Sequence, residues 1–115
     1  MQPEPTLTGV AALDRSALIF AALGDETRLR LVVILCAGEP QSITQLTLGT
    51  AITRQAVTKH LQVLAQAGLV RDAKLGRERL WALELTQLAA ARHSLELISR
   101  QWDSALGNLA SFTER

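Results

Sequence analysis

The chain contains no tyrosine and only four aromatic side chains, Phe20, Trp81, Trp102 and Phe112. An all-β sandwich draws its core from aromatic and β-branched residues, so this scarcity argues against one. The 21 Leu and 17 Ala that take their place favour helix. A single cysteine, Cys36, excludes an internal disulfide and a cysteine-only metal cage within one chain. It fits a reducing compartment. The apolar run at 31–38 falls far short of the ~20 residues that a membrane span requires. Met1-Gln2-Pro3-Glu4-Pro5 has neither the basic region nor the apolar run of a signal peptide. With 115 residues, 48% of them hydrophobic, the expectation is one soluble, cytoplasmic domain with a filled core and no membrane contact.

Neither sign of charge is in large excess. Twelve basic and eleven acidic residues leave a net +1, but they are unevenly spread. Between 53 and 79 stand Arg54, Lys59, Arg71, Lys74, Arg77 and Arg79 against Asp72 and Glu78 only. A near-neutral protein with such a segment can meet a polyanion locally, although a solvated surface alone would also account for it.

The apolar spacing predicts mainly helix with one β-hairpin, in the order α-α-α-α-β-β-α. Residues 1–13, with two early prolines and a glycine, read as a flexible arm. A first helix follows from Asp14 to Leu23, with Leu13, Ala17, Phe20 and Ala21 on one face and Gly24 as its stop. Asp25 caps a second helix that is apolar on almost every side and ends before Gly38-Glu39-Pro40. Its Cys36 reads as a buried small hydrophobe. Ser42-x-x-Gln45 forms a capping box for a short helix at 42–48, and Gly49–Ile52 makes a tight turn. Thr53 caps a fourth helix that ends at Ala67 before Gly68, with Val57, Leu61 and Leu64 inward. Strands at 69–74 and 77–83 form the hairpin.

Thr86 caps a last helix that continues to about Phe112. Its apolar positions Leu88, Ala91, Leu95, Ile98, Trp102, Ala105, Leu109 and Phe112 advance by threes and fours. A span of ~27 residues is ~40 Å long at 1.5 Å per residue. A domain of this size has a radius of gyration near ~13 Å, so the helix overhangs it and its stripe calls for a second chain. The working domain is thus placed at 14–112, with 113–115 as a tail.

Helix, turn, helix and hairpin in this order have the spacing of a winged helix-turn-helix. A helix entering a major groove ~12 Å wide needs small or polar residues at its leading end. Thr53, Arg54, Gln55, Thr58 and Lys59 meet that need, and His60 lies beside them on the helix edge. Arg suits guanine, Gln suits adenine, and Thr suits phosphate or a thymine methyl. Lys74, Arg77 and Arg79 near the hairpin tip suit backbone phosphate or a minor groove.

The segment Leu29–Leu83 resembles the arsenic-repressor (ArsR/SmtB) family of bacterial winged-helix transcription regulators. The resemblance starts in Phe20-Ala-Ala-Leu-Gly-Asp-Glu-Thr-Arg-Leu-Arg-Leu31. It continues in Ile52-Thr-Arg-Gln-Ala-Val-Thr-Lys-His-Leu-Gln-Val-Leu-Ala-Gln-Ala-Gly-Leu-Val70 and in Gly76-Arg-Glu-Arg-Leu-Trp81, and covers about 20–112. It implies a dimeric repressor that leaves double-stranded DNA when a small-molecule signal binds. It also implies a seam built from the first and last helices, here Leu13, Ala17, Phe20, Leu95, Ile98, Trp102, Leu106, Leu109 and Phe112. The Cys-x-Cys of many metal-sensing members is missing from Gly38–Leu46. His93-x-x-Glu96 stands without an upstream Asp-x-His. Neither a metal site nor a cofactor is expected, and the effector stays unidentified.

A winged-helix module that binds only proteins would tend to lose the small, basic leading edge that Thr53–Lys59 retains. An enzyme is not expected. The chain has no phosphate-cradling glycine loop, no His-Glu-x-x-His and no Ser-x-x-Lys, and its two histidines lie on different helices.

Overall fold

The computed structural model describes the backbone of residues 5–113 and the side chains of 14–113. Five helices and three short strands follow in chain order: α1 (Pro5–Leu23), α2 (Glu26–Cys36), β1 (Gln41–Ser42), α3 (Ile43–Thr50), α4 (Arg54–Gln66), β2 (Val70–Leu75), β3 (Glu78–Leu83) and α5 (Leu85–Thr113). The fold is the expected mainly helical winged helix-turn-helix.

Local signals set most of the boundaries. Asp25 caps α2, accepting from the Arg28 amide at 3.0 Å. Ser42 and Gln45 close the capping box of α3: the Gln45 amide donates to Ser42 Oγ, and the Ser42 amide donates to Gln45 Oε1. Thr53 caps α4 by accepting from the Ala56 amide. Gly68, at φ 79°, takes the left-handed position just beyond α4 that a side chain resists.

The core is one cluster. Leu31, Val32 and Leu35 of α2 meet Leu46 of α3, Val57, Leu61 and Leu64 of α4, Leu69, Val70 and Trp81 of the wing, and Ile19, Ala22 and Ala91 of the outer helices. Trp81 lies inside this cluster, so the wing leans on the helices as a lone hairpin must.

Several expectations are corrected. Helix α1 begins at Pro5, so residues 5–13 are helical where an arm was expected, while residues 1–4 lie outside those described. Proline fits a first helical turn because the missing N–H has no partner there in any case. The buried face of α1 is Ser16, Ile19 and Ala22, with Ala17 exposed and Phe20 half-buried. Gly24 is not in the left-handed region; its amide bonds back to the Ala21 carbonyl. Cys36 is exposed, together with Leu29 and Val33. A helix apolar on nearly every side carries no periodic signal saying which side turns inward. Helix α3 runs on to Thr50. The sheet has three strands in the order β1-β3-β2, all antiparallel, with Gln41 opposite Trp81 and Ser42 opposite Leu80. Strand β1 is two residues long, too short for any alternation.

The turn between α3 and α4 stores strain. Ala51 sits in the left-handed region at φ 58° and caps α3 through its amide on the Thr47 carbonyl. That conformation disfavours a Cβ. Ala51→Gly should stabilise the fold by ~0.5–1 kcal/mol, after the extra chain entropy of glycine is subtracted. Urea unfolding should show a higher midpoint at unchanged slope.

Helix α5 is unbroken through Gly107 and covers 29 residues. Its buried residues are Ala91 and Ser94. Beyond them its apolar stripe projects into solvent, with Trp102 65% and Phe112 73% exposed. The molecule is accordingly 63 Å along its longest axis. Where α1 and α5 meet, Ser16 Oγ and Ser94 Oγ share a buried hydrogen bond of 2.6 Å. No helix among the described residues is long and apolar enough to cross a membrane.

Candidate nucleic-acid interface

Helix α4 is seated by Val57, Leu61 and Leu64, each with 0% exposure. That seat turns Gln55, Lys59, Gln62 and Gln66 outward as one exposed row. Of the side chains expected to read DNA from α4, Gln55 and Lys59 stand on this row.

The others have partners. The Thr53 hydroxyl accepts the Ala56 amide as the cap. The Thr58 hydroxyl donates to the Arg54 carbonyl one turn back at 2.8 Å. Arg54 Nη1 donates to Thr44 Oγ1 at 2.9 Å, bridging the first turns of α3 and α4. His60 turns inward: its Nδ1 lies 3.9 Å from Asp25 Oδ2, beyond hydrogen-bond length but close enough for charges to interact.

Asp25 is thereby a junction. The Arg28 amide donating to it holds its carboxyl below the ordinary carboxylate range; desolvation opposes this, and the nearby Arg28 and His60 side chains reinforce it. With the folded value below the unfolded one, ionised Asp25 favours the folded state at neutral pH. That contribution fades as the pH drops past the ordinary carboxylate value and through the lower folded one. Arg28 Nε meanwhile donates to the Ala22 carbonyl at 2.6 Å, tying the end of α1 to the same point.

The wing carries the remaining candidates. Its turn is Gly76-Arg77, with Gly76 at φ 66° as a tight hairpin turn requires. Lys74 lies opposite Arg79 in the ladder, and Arg79 Nε pairs diagonally with Asp72 at 2.9 Å. Arg71 pairs with Glu84 at the hairpin base at 2.8 Å. Among the described residues, Lys74 and Arg77 have no carboxylate partner.

Ser42, Ile43 and Thr44 from the start of α3, Arg54 from α4, and Arg77, Glu78 and Arg79 from the wing enclose a cleft of about 220 Å³. The structure thus gathers three of the expected arginines around one opening. Thr44 is the residue that sequence reasoning missed. Its only sequence signal is its place in the first turn of the helix that precedes the reading helix.

His93 is exposed, and Glu96 pairs with Arg92 at 3.4 Å. No group of three metal-ligating side chains occurs among the described residues. Along the proposed seam, Leu95, Trp102, Leu106, Leu109 and Phe112 are exposed and Ile98 is half-buried. Leu13 has its side chain outside the described residues.

Comparison with known proteins fits this architecture. A helix-turn-helix domain family matches residues 23–73. The HTH-type transcriptional regulator Rv2034 of Mycobacterium tuberculosis is 38% identical over 93 residues, which are 81% of this chain and 83% of that protein. The ArsR-like transcriptional regulator of Rhodococcus sp. RHA1 superposes with a TM-score of 0.72 at 34% identity, over 89% of this chain and 95% of that one. A homodimeric winged helix-turn-helix DNA-binding domain of Mycobacterium bovis shares the fold, with a TM-score of 0.61 at 21% identity over 94% of this chain and 91% of its own. The helix-turn-helix match, the overlap with Rv2034 and the superposition on the ArsR-like regulator agree: the chain belongs to the ArsR family of winged helix-turn-helix transcriptional regulators.

Proposed function

We propose that the chain binds duplex DNA as a homodimer, represses transcription from that site, and leaves it when a small effector binds near the dimer helices. The observation that carries the reading is the exposed Gln55–Lys59 row on a firmly seated helix, together with Arg77 at the wing tip, which has no carboxylate partner among the described residues. Gln55 suits the N6 and N7 edge of adenine, and Lys59 suits guanine or phosphate. Thr53, Thr58 and Lys74 would contact the phosphate backbone around that row. His60 supports the helix from behind through Asp25.

The exposed apolar stripe of α5 supports the dimer, with Ala17 and Phe20 of α1 as further residues of the proposed seam. The homodimeric Mycobacterium bovis domain, alike in fold, supports the same arrangement. Two reading helices ~34 Å apart would enter successive major grooves of an imperfect palindrome. An effector would have to prefer one spacing of the two heads, with a coupling of ~1–3 kcal/mol.

Selection on random duplex DNA, with the winner titrated at several salt concentrations, tests the reading. A palindromic winner bound well above random sequence, with a steep salt slope, is the expected result. Absence of enrichment, with binding that vanishes near physiological salt, would sink it. Arg77→Ala should weaken selected and random duplexes alike and reduce the salt slope by ~1 for each wing. An unchanged slope would remove Arg77 from the contacts.

A further inference from the structure

We propose that Thr44 holds Arg54 as a clamp for one DNA backbone phosphate in the cleft between α3, α4 and the wing, which leaves base choice to Gln55 and Lys59. The inference deepens the DNA-binding reading and rests on it.

Three observations carry it. The first is the 2.9 Å bond from Arg54 Nη1 to Thr44 Oγ1. It uses one in-plane N–H of the guanidinium and ties the group toward α3, whereas a bidentate contact with guanine needs two parallel N–H groups aimed outward into the groove. The second is position on the helix. Arg54 and Thr58 share one i, i+4 row, which Thr44 places on the α3 side, while Gln55 and Lys59 share the neighbouring exposed row. The third is charge. Three guanidinium groups and one carboxylate, Glu78, line the cleft. Arg79 is already paired with Asp72, so Arg54 and Arg77 remain as cations without a carboxylate partner among the described residues. A tetrahedral monoanion with two free oxygens suits two such forks from opposite walls, and its hydroxyl-held partner needs little reordering to meet it. Phosphate contacts of this kind fix the register of a protein on DNA without reading sequence.

The test uses the full-length protein with a selected duplex and a scrambled one, each titrated with salt. Arg54→Ala should lower affinity for both by the same factor, about tenfold, and reduce the salt slope by ~1 per protomer. Arg54→Lys should retain the slope but lose part of the affinity, because a point charge lacks the fork. Thr44→Val keeps the side-chain shape and removes the hydroxyl; it should lower both affinities by a smaller common factor, about threefold, and add little on top of Arg54→Ala. Gln55→Ala should instead change the preferred base at one position. Thermal melting checks that each variant is folded.

Arg54→Ala lowering affinity for the selected duplex alone would overturn the clamp and restore Arg54 as a base reader. So would independent, additive losses from Thr44→Val and Arg54→Ala. Inorganic phosphate at constant ionic strength should not displace the duplex; specific displacement lost in Arg54→Ala would assign the cleft to free phosphate instead. A wild-type protein that binds neither duplex would defeat the DNA-binding reading itself, and the clamp with it.

Discussion

Trp102→Asp should convert the protein to a species sedimenting at the 12.5 kDa of one chain, and operator binding should fall ~10²–10⁴-fold. Trp102 is the largest side chain on the outward stripe of α5 and is 65% exposed in the single chain. With Ala105 and Leu106 it forms a wholly apolar shallow hollow. Nothing among the described residues covers this surface, and the proposed dimer would bury it against a second copy. A carboxylate placed there would have to be desolvated twice in a symmetric seam, once from each chain. The monomer should stay folded, because Ala91 and Ser94, which anchor α5 to the domain, lie two to three turns earlier. Losing the second reading head removes half of the contacts and the effective concentration that links the halves. Sedimentation and DNA titration together check the prediction. A variant that remains a dimer of wild-type affinity would show that the seam lies elsewhere. The indole offers a second readout, since wild-type emission should shift to the blue as dilute chains associate.

Leu61→Ala should destabilise the fold by ~2–5 kcal/mol, a large share of the ~5–15 kcal/mol available to a domain. Leu61 has no exposure and sits between Val57 and Leu64 on the inner face of α4. Removing its branched end leaves a cavity inside the core cluster, which the rigid helices can refill only in part. Denaturant unfolding should show a lower midpoint, and DNA affinity should drop further at elevated temperature as the reading helix loses its seat. A loss below ~1 kcal/mol would mean that the site collapses freely.

Helix α4 was legible almost to the residue because its signals are local. Thr53 as cap, Val57, Leu61 and Leu64 at helical spacing and Gly68 at the end need no knowledge of the rest of the chain. The hairpin was legible as two strands, but strands at 69–74 and 77–83 put the turn one residue before the observed Gly76-Arg77, so Lys74 pairs with Arg79 where the sequence had set it against Arg77. Helices α1 and α2 were legible as helices but not as faces. Their apolar residues leave no polar side to mark the outside, so packing against α4 and α5 decided the rotation, burying Ser16 and exposing Cys36. At the candidate interface, residue type and helix position named three arginines that the structure gathers around one cleft. What each polar group bonds to was hidden, because Thr44–Arg54 and Asp25–His60 join different helices. A hydroxyl that caps, a hydroxyl that bonds back along its helix and a guanidinium held by a threonine look alike in a sequence.

The three-stranded sheet has a bearing on solubility. Strand β3 lies in the middle, so β2 forms an outer edge six residues long. Such an edge presents unpaired backbone groups to any other strand, and a dimer would carry two. Arg71, Asp72 and Lys74 stand along it, and charges of this kind deter edge-to-edge pairing. Basic side chains suited to a phosphate backbone thus also keep one wing from zipping onto the next. Stripping charge from β2 would therefore risk precipitation that passes for lost DNA affinity, whereas Arg77, in the turn and off the ladder, can be neutralised without baring the edge.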